Sequence, residues 1–384
     1  MNLTKSERTR RALKKAAEEL FSKYSLEKTS VAAICRESGL SNGTFYRHFD
    51  NKNEVFKEIT NDMMKEFKAS LNRVTGEGQR EILRSFFDNA FNVLWKYKKR
   101  FIAFHEAEYR FEVIEREVDS AYMEALKRIL NLKNDAKPWL KWFVVGSARF
   151  VAIWWIIFRN SPVPEETIDN LVKFVTKGLQ CETKFDPEVI KYNLDIINRR
   201  KENTRERLLA SAEELIGKKG YFNTSIYDIT NLAGYAQGTF YVYFESKSQL
   251  LKELVLWANH NLRNVLKDAS KNIIGRLNQE MRNYKAFLLF MKVHRNLYEI
   301  VRESEFIVDG AGKHYYEKIL DSYTRALEKP IKEGEISQFD KEDLGTFLMG
   351  IGHFMGLDLI IYPKENQKDW NQCLLELSEL LNRG

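Results

Sequence analysis

Two short stretches of the chain hold side chains suited to reading a nucleic-acid groove. The first runs Ser41-Asn42-Gly43-Thr44-Phe45-Tyr46-Arg47-His48-Phe49. Phe45 and Phe49, four residues apart, share one face of a helix and point inward. The opposite face then presents Asn42, Thr44, Tyr46, Arg47 and His48, a hydrogen-bonding and aromatic set that can meet phosphates and base edges in a major groove. The Arg47 guanidinium can read guanine bidentately. The second stretch, Ala236-Gln237-Gly238-Thr239-Phe240-Tyr241-Val242-Tyr243-Phe244, keeps the frame and changes the readout. It offers Gln237, Thr239, Tyr241 and Tyr243, has no Lys or Arg, and places Val242 where Arg47 stands.

These stretches sit inside a repeat. The 51 residues from Thr9 align without a gap on those from Thr204, at a constant offset of 195, with 20 identities. Among the identities are Thr29/Thr224, Ser30/Ser225, Gly39/Gly234, the two Gly-Thr-Phe-Tyr quartets and Lys52/Lys247. Self-similarity of this length points to a duplicated structural unit. In each copy Leu13, Ala16, Ala17, Leu20 and Phe21, or Leu208, Leu209, Ala212, Leu215 and Ile216, recur at helical spacing and predict a first amphipathic helix. A second helix begins after Thr29-Ser30 or Thr224-Ser225, whose hydroxyls can cap it, and ends at Gly39 or Gly234, where positive φ costs little. The polar stretch follows as a third helix, which gives a helix-turn-helix head.

The pattern Gly-Leu-Ser-x-Gly-Thr-Phe-Tyr-x-x-Phe-x-x-Lys resembles the tetracycline-repressor (TetR) family of regulators. The resemblance covers about the first 50 residues of each repeat, while the remainder matches only in length, helicity and a Gly-x-x-x-Phe helix (Gly146/Phe150, Gly350/Phe354). It implies that Thr29 and Thr224 hold phosphates at a helix start. It also implies that Ser41, Thr44, Tyr46 and His48, with Gln237, Thr239, Tyr241 and Tyr243, line the DNA-facing helix, that Gly43 and Gly238 permit close approach, and that Lys52 and Lys247 clamp phosphate. The partner so implied is a double-stranded DNA operator, and the role is that of a repressor released by a small-molecule effector held in a helical body. Divergence between Arg47 and Val242 makes the expected operator imperfectly palindromic. Residues 1–60 carry 12 basic and 8 acidic side chains against 9 and 7 in 196–255, so the first head is the more basic.

The expected architecture is all-α, two tandem TetR-like units: heads at 1–60 and 204–255, bodies at 61–184 and 256–384, and a helical linker at 185–203 that starts at Asp186-Pro187 and either runs unbroken into the second head or gives way to a fresh N-cap at Asn203-Thr204. Only 6 prolines in 384 residues and few alternating strand patterns support long helices. The bodies are rich in aromatics that mostly build core. An apolar or aromatic effector is expected there, with His105, Glu106, Arg110, Trp142 and Arg149 as candidate contacts in the first body and His294, Arg302 and His353 in the second. The resemblance implies pairing through the last two long helices. Here 138–158 and 165–180 are expected to pair with 341–362 and 367–382 inside one chain, a covalent pseudo-dimer favoured by effective concentration over a four-headed homodimer.

Net charge of +7 suits a polyanionic partner without demanding one. Cys35, Cys181 and Cys373 form no CxxC pair, which argues against a zinc site or disulfide framework and fits a reducing cytoplasm. The longest apolar stretch, 143–158, contains Arg149 and reads as a buried helix rather than a membrane span. No P-loop, Rossmann glycine pattern, nucleophile elbow or HExxH is present, so neither a cofactor nor catalysis is expected. The alternative that remains is a ligand-binding or scaffold protein whose heads are silent.

Overall fold

The computed structural model describes residues 4–131, 140–194, 203–307, 310–363 and 369–383. Among the described residues there is no strand, and the first copy's helices have counterparts in the second. In the first copy α1 is Lys5–Lys28, α2 Val31–Ser38, α3 Asn42–Tyr46, α4 Lys52–Leu71, α5 Gln79–Lys96, α6 Lys98–Arg110, α7 Glu112–Ile129, α8 Lys141–Phe158 and α9 Glu165–Lys177. In the second, α10 is Thr204–Lys219, α11 Ile226–Ala233, α12 Gln237–Tyr243, α13 Lys247–Ser270, α14 Arg276–Val293, α15 Arg295–Ile307, α16 Ala311–Lys332, α17 Lys341–Ile361 and α18 Trp370–Leu381.

Each head closes around its own apolar centre. In the first, Leu13, Ala17 and Phe21 of α1 meet Ile34 of α2, Phe45 of α3, Phe49, and Val55 and Ile59 of α4. In the second, Leu208, Ala212, Ile229, Phe240 and Phe244 are likewise buried. Caps set the helix ends. Ser30 accepts from the Ala33 amide and Ser225 from the Asp228 amide, while Gly39 and Gly234 end their helices at φ of 69° and 80°. A Cβ is strained at such φ, which is why both copies keep glycine.

The chain forms two compact units, residues 1–135 with 152–168, and residues 136–151 with 169–384. The division does not follow the repeat boundary, because helices of both copies share the second unit. There α8 crosses α17 at two glycines. A Cβ on Gly146 would lie 3.1 Å from the Gly350 carbonyl oxygen and 3.4 Å from Phe354 Cβ; one on Gly350 would lie 2.5 Å from the Gly146 oxygen and 2.8 Å from Phe150 Cβ. Each glycine thus meets the other's carbonyl and the other's Phe four residues on, a reciprocal pattern of the kind two-fold interfaces produce. Ser147 Oγ spans the crossing, donating to the Phe143 and Phe347 carbonyls at 2.8 and 3.1 Å. Phe174 of α9 packs between Phe143 and Phe347, and Asn170 donates to Asp343 at 2.9 Å. The Leu179 amide bonds to the Leu381 carbonyl at the end of α18.

Among the described residues of the join the helical element is a four-residue 3-10 turn, Pro187–Ile190, capped by Asp186, and α10 takes the second of the two expected forms, starting afresh with Asn203 accepting from the Glu206 amide. Residues 195–202 of the expected linker, like 138–139 and 367–368 at the starts of two expected helices, lie outside the described residues. α8 and α17, of 18 and 21 residues, each hold an 18-residue window long and apolar enough to cross a membrane by length and composition. They are apolar because they pack against each other and their neighbours, with 78% and 89% of the apolar windows buried.

The glycine crossing predicts a sharp contrast. Gly350→Ala should cost about 1–3 kcal/mol through overpacking and lower the midpoint of thermal unfolding. Gly43→Ala, whose Cβ would meet nothing closer than Ser41 Oγ at 4.0 Å, should leave the midpoint unchanged.

Candidate nucleic-acid interface

The outward face of α3 forms as its residue types require. Ser41 caps the helix, its hydroxyl accepting from the Thr44 amide at 3.2 Å and lying 3.0 Å from Thr44 Oγ1. Ser41, Asn42, Gly43, Tyr46 and Arg47 are exposed, Thr44 and His48 are half-buried, and Phe45 and Phe49 are buried. The Arg47 guanidinium lies along the helix, bonded to the Gly43 carbonyl at 3.3 Å and Thr44 Oγ1 at 3.1 Å. The surface is therefore a contiguous strip of hydroxyl, amide, phenol and guanidinium groups on a short rigid helix, able to offer donors to phosphates and base edges.

On α12 the same positions are exposed, but the chemistry is apolar and aromatic. Gln237, Gly238, Tyr241 and Tyr243 face solvent, Thr239 is half-buried, and Val242 is 75% exposed. Ala236 begins this helix without a side-chain cap, whereas Ser41 caps its counterpart. Tyr46 and Tyr241 are equally placed, each with its ring edge-on to the neighbouring Phe at 5.4 Å.

The structure reassigns two pairs of sequence candidates. Thr29 and Thr224 are buried, and their hydroxyls donate to the Ser25 and Gly220 carbonyls at 2.7 and 2.9 Å. They fasten the preceding helix end and do not face outward; the exposed hydroxyls at the helix starts belong to Ser30 and Ser225. Lys52 Nζ donates to the carbonyls of Leu26, Glu27 and Thr29 at 2.7, 3.2 and 3.0 Å. Lys247 Nζ does the same to Tyr221 and Thr224 at 2.8 and 2.6 Å, over the Tyr221 ring. Both ammonium groups close helix ends, as cations do at a carbonyl-rich C-terminus. Burial lowers the pKa of Lys247.

Another clamp escaped the sequence reading. Arg10 lies over the Phe49 ring at 4.1 Å, bonds the His48 carbonyl and pairs with Glu58. Arg205 repeats this over Phe244 with Glu253. The signal was present, since Arg10/Arg205 and Glu58/Glu253 are identities at the same offset. These arginines fix the segment after the recognition helix.

Of the effector candidates, Glu106 and Arg110 instead tie a body helix to a head. The Leu26 amide at the end of α1 donates to Glu106 at 2.9 Å, and Arg110 bonds Glu106 and Glu27 at 2.8 and 3.1 Å. Burial pushes the Glu106 carboxyl upward. In the second copy Glu303 of α15 receives the Tyr221 amide on both oxygens at 3.0 and 2.9 Å. His105 sits 3.4 Å from Glu108. Trp142 donates to Asp358 at 2.5 Å, and Arg149 stacks on Phe354 at 4.1 Å. His294 packs against Trp257 and Phe290, and Arg302 reaches Glu299 and the Tyr362 hydroxyl. His353 alone among these lines the cavity found in the second unit, where its Nδ1 meets the Tyr298 hydroxyl at 2.5 Å.

Comparison with known proteins agrees with the heads. Residues 13–59 and 208–254 each match the family model described as bacterial regulatory proteins, tetR family. A helix-turn-helix (HTH)-type transcriptional regulator from the lacX 3' region of Lactococcus lactis subsp. lactis is 39% identical over 69 residues, 17% of this chain and 35% of that protein. The HTH-type transcriptional regulator YvdT of Bacillus subtilis (strain 168) is 42% identical over 72 residues, 19% of this chain and 34% of that protein. The matches thus span about a third of these relatives' length. Among solved structures, AibR in complex with isovaleryl coenzyme A and operator DNA is 16% identical, covers 47% of this chain and all of that one, with a TM-score of 0.40. Salmonella enterica GusR is 20% identical, covers 48% and 97%, with a TM-score of 0.42. The chain carries two tetR-type heads in tandem.

Two measurements check the local contacts of the heads. Lys52→Met should destabilise the first head by about 1–3 kcal/mol, as expected for lost charge-assisted bonds, read as a lower unfolding midpoint. In the second head the Ser225–Asp228 capping box holds Asp228 at about 2, below its ordinary 3.8. That contribution is present above the ordinary value and is lost as pH falls through about 2. Asp228→Asn should remove this part of the acid dependence of the unfolding midpoint.

Proposed function

We propose that this chain, with its two tetR-type heads, is a sequence-specific double-stranded-DNA-binding transcriptional regulator, acting as a repressor that a small effector releases from its operator. The observation that carries the reading is the pair of exposed recognition faces on α3 and α12, each held by a buried Phe pair, Phe45 and Phe49 or Phe240 and Phe244, in a segment matching the family.

The two heads belong to one pseudo-dimer. Its support is the reciprocal contact of Gly146 and Gly350 between α8 and α17, with α9 and α18 packed beside them. Joining the halves covalently makes engagement of the second half-site intramolecular and raises avidity without new contacts. A homodimer with four heads is the competing assembly. The operator is imperfectly palindromic, since Asn42 and Arg47 face one half-site and Gln237 and Val242 the other.

Control is a population shift. An effector that binds one body arrangement better than another changes the spacing of the heads relative to successive major grooves, roughly 34 Å apart. Glu106 and Glu303, each holding the end of a head's first helix from a body helix, are the levers through which a body helix would move its head. Working on DNA, such a protein resides in the cytoplasm and is not an enzyme.

A second reading, a silent second head, is favoured by the absence of Lys and Arg from α12 and by its uncapped start. Footprinting on the DNA upstream of its own coding region separates the two. Arg47→Ala should weaken binding by about 1–3 kcal/mol, the scale of one bidentate base contact, and relax protection of one half-site. Tyr241→Ala and Gln237→Ala should relax the other; protection unchanged by both of these would leave a single working head.

A further inference from the structure

In the second unit two chambers adjoin, sharing four lining residues. The inner one is a slot of about 50 Å³ between α13, α14, α15, α16 and α17, walled by Phe150, Leu262, Phe287, Leu348, Met349 and several tyrosines. By the space one water needs, it admits roughly three or four water-sized groups in a row. Its polar atoms are largely engaged with protein: Tyr284 donates to the Leu348 carbonyl at 3.0 Å, Tyr316 to Glu305 at 3.0 Å, and Tyr298 meets His353. What the slot offers a guest is therefore apolar and aromatic surface.

The outer chamber is a vestibule of about 570 Å³, in the size range of small-molecule sites. Leu266, Asn283, Ile319 and Tyr323 line both chambers and form the neck between them. Four cationic side chains line the vestibule, Arg263, Lys267, Arg276 and Arg325, and no carboxylate does. Arg276 is neutralised by buried Glu280, and Arg263 donates to Asn259. Lys267 and Arg325 are exposed and face no carboxylate partner among the described residues. Two buried polar atoms in the lining, the Arg276 Nε donor and the Asn283 Oδ1 acceptor, have no protein partner. Buried polar groups without partners are costly, and an anionic ligand group answers the Arg276 donor.

We propose that these chambers form one binding site for an anionic amphiphile: a short acyl or alkyl tail in the slot and a carboxylate- or phosphate-bearing head in the vestibule beside Lys267 and Arg325. Phe150 gives the site its leverage. It belongs to the first copy, stands one turn beyond Gly146 on α8, packs on Tyr316 and His353, and forms part of the slot wall. A tail in the slot touches both helices of the glycine crossing, so occupancy acts directly on the joint between the copies. Site and tail follow from geometry alone; the regulatory consequence rests on the effector-controlled reading above.

Calorimetric titration of the full chain with pentanoate, pentyl phosphate and 1-pentanol tests the site without DNA. Both anions should bind at least tenfold more tightly than the alcohol, and the tighter anion identifies the head group. The double reversal Lys267→Glu/Arg325→Glu, at exposed positions, should shrink that preference below threefold. Ile319→Trp, which fills the neck, should abolish anion binding while helicity by circular dichroism stays native. Equal affinity for alcohol and anions, a preference that survives the double reversal, or no binding of any of the three overturns the proposal. Gel shifts then separate the two readings. An anion that binds as expected but leaves operator affinity unchanged sustains the site and contradicts effector control; failure to bind any upstream DNA contradicts the regulator and leaves the site standing.

Discussion

The close approach of two backbones at Gly146 and Gly350 is the constraint on which the second unit depends. A Cβ on Gly350 would lie 2.5 Å from the Gly146 carbonyl oxygen, so that position admits no side chain without separating the helices, and one on Gly146 would press on the Gly350 oxygen at 3.1 Å. That approach lets Phe143, Phe174 and Phe347 close into one aromatic cluster and sets Phe150 against Tyr316 and His353. Interiors are packed densely enough that such a crossing is a discrete arrangement and not a sliding contact. A switch built on it has states to choose between. The helices that meet there come from different copies of the repeat, which is why contacts partition the chain at 135/136, 151/152 and 168/169 and not at the repeat boundary.

Much of the heads was legible in the residues. Hydrophobic spacing located α1 and α10, and glycines at 39 and 234 marked the turns because positive φ favours few other residues. Paired phenylalanines also oriented the recognition helices. What misled was side-chain direction. Thr29 and Ser30 stand together in sequence, yet the hydroxyl of one turns back to Ser25 and that of the other caps α2. Identity between copies did not distinguish a residue kept for DNA from one kept for the fold. Lys52 and Lys247 are retained, and the helix ends they close explain the retention. The same holds for Arg10 and Arg205.

The bodies were legible only in outline. Their apolar helices were evident, but a histidine or arginine on such a helix carries no mark of what it faces. Arg149, His294 and Arg302 are taken up by Phe354, by Trp257 and Phe290, and by Glu299 and Tyr362. Lys267 and Arg325 sit on α13 and α16, 58 residues apart in sequence (325 − 267), and only tertiary packing brings them to one rim. The recognition stretches are better kept than the rest of the repeat, five of nine positions from Ser41 to Phe49 being identical against 20 of 51 overall, yet α3 presents a guanidinium and α12 an exposed valine at the same place.

Sedimentation velocity of the full chain on its operator tests the central claim most directly. The account predicts one 45.2 kDa chain per operator, both half-sites being met by the two heads of a single molecule. Two chains per operator, twice that protein mass, would contradict it.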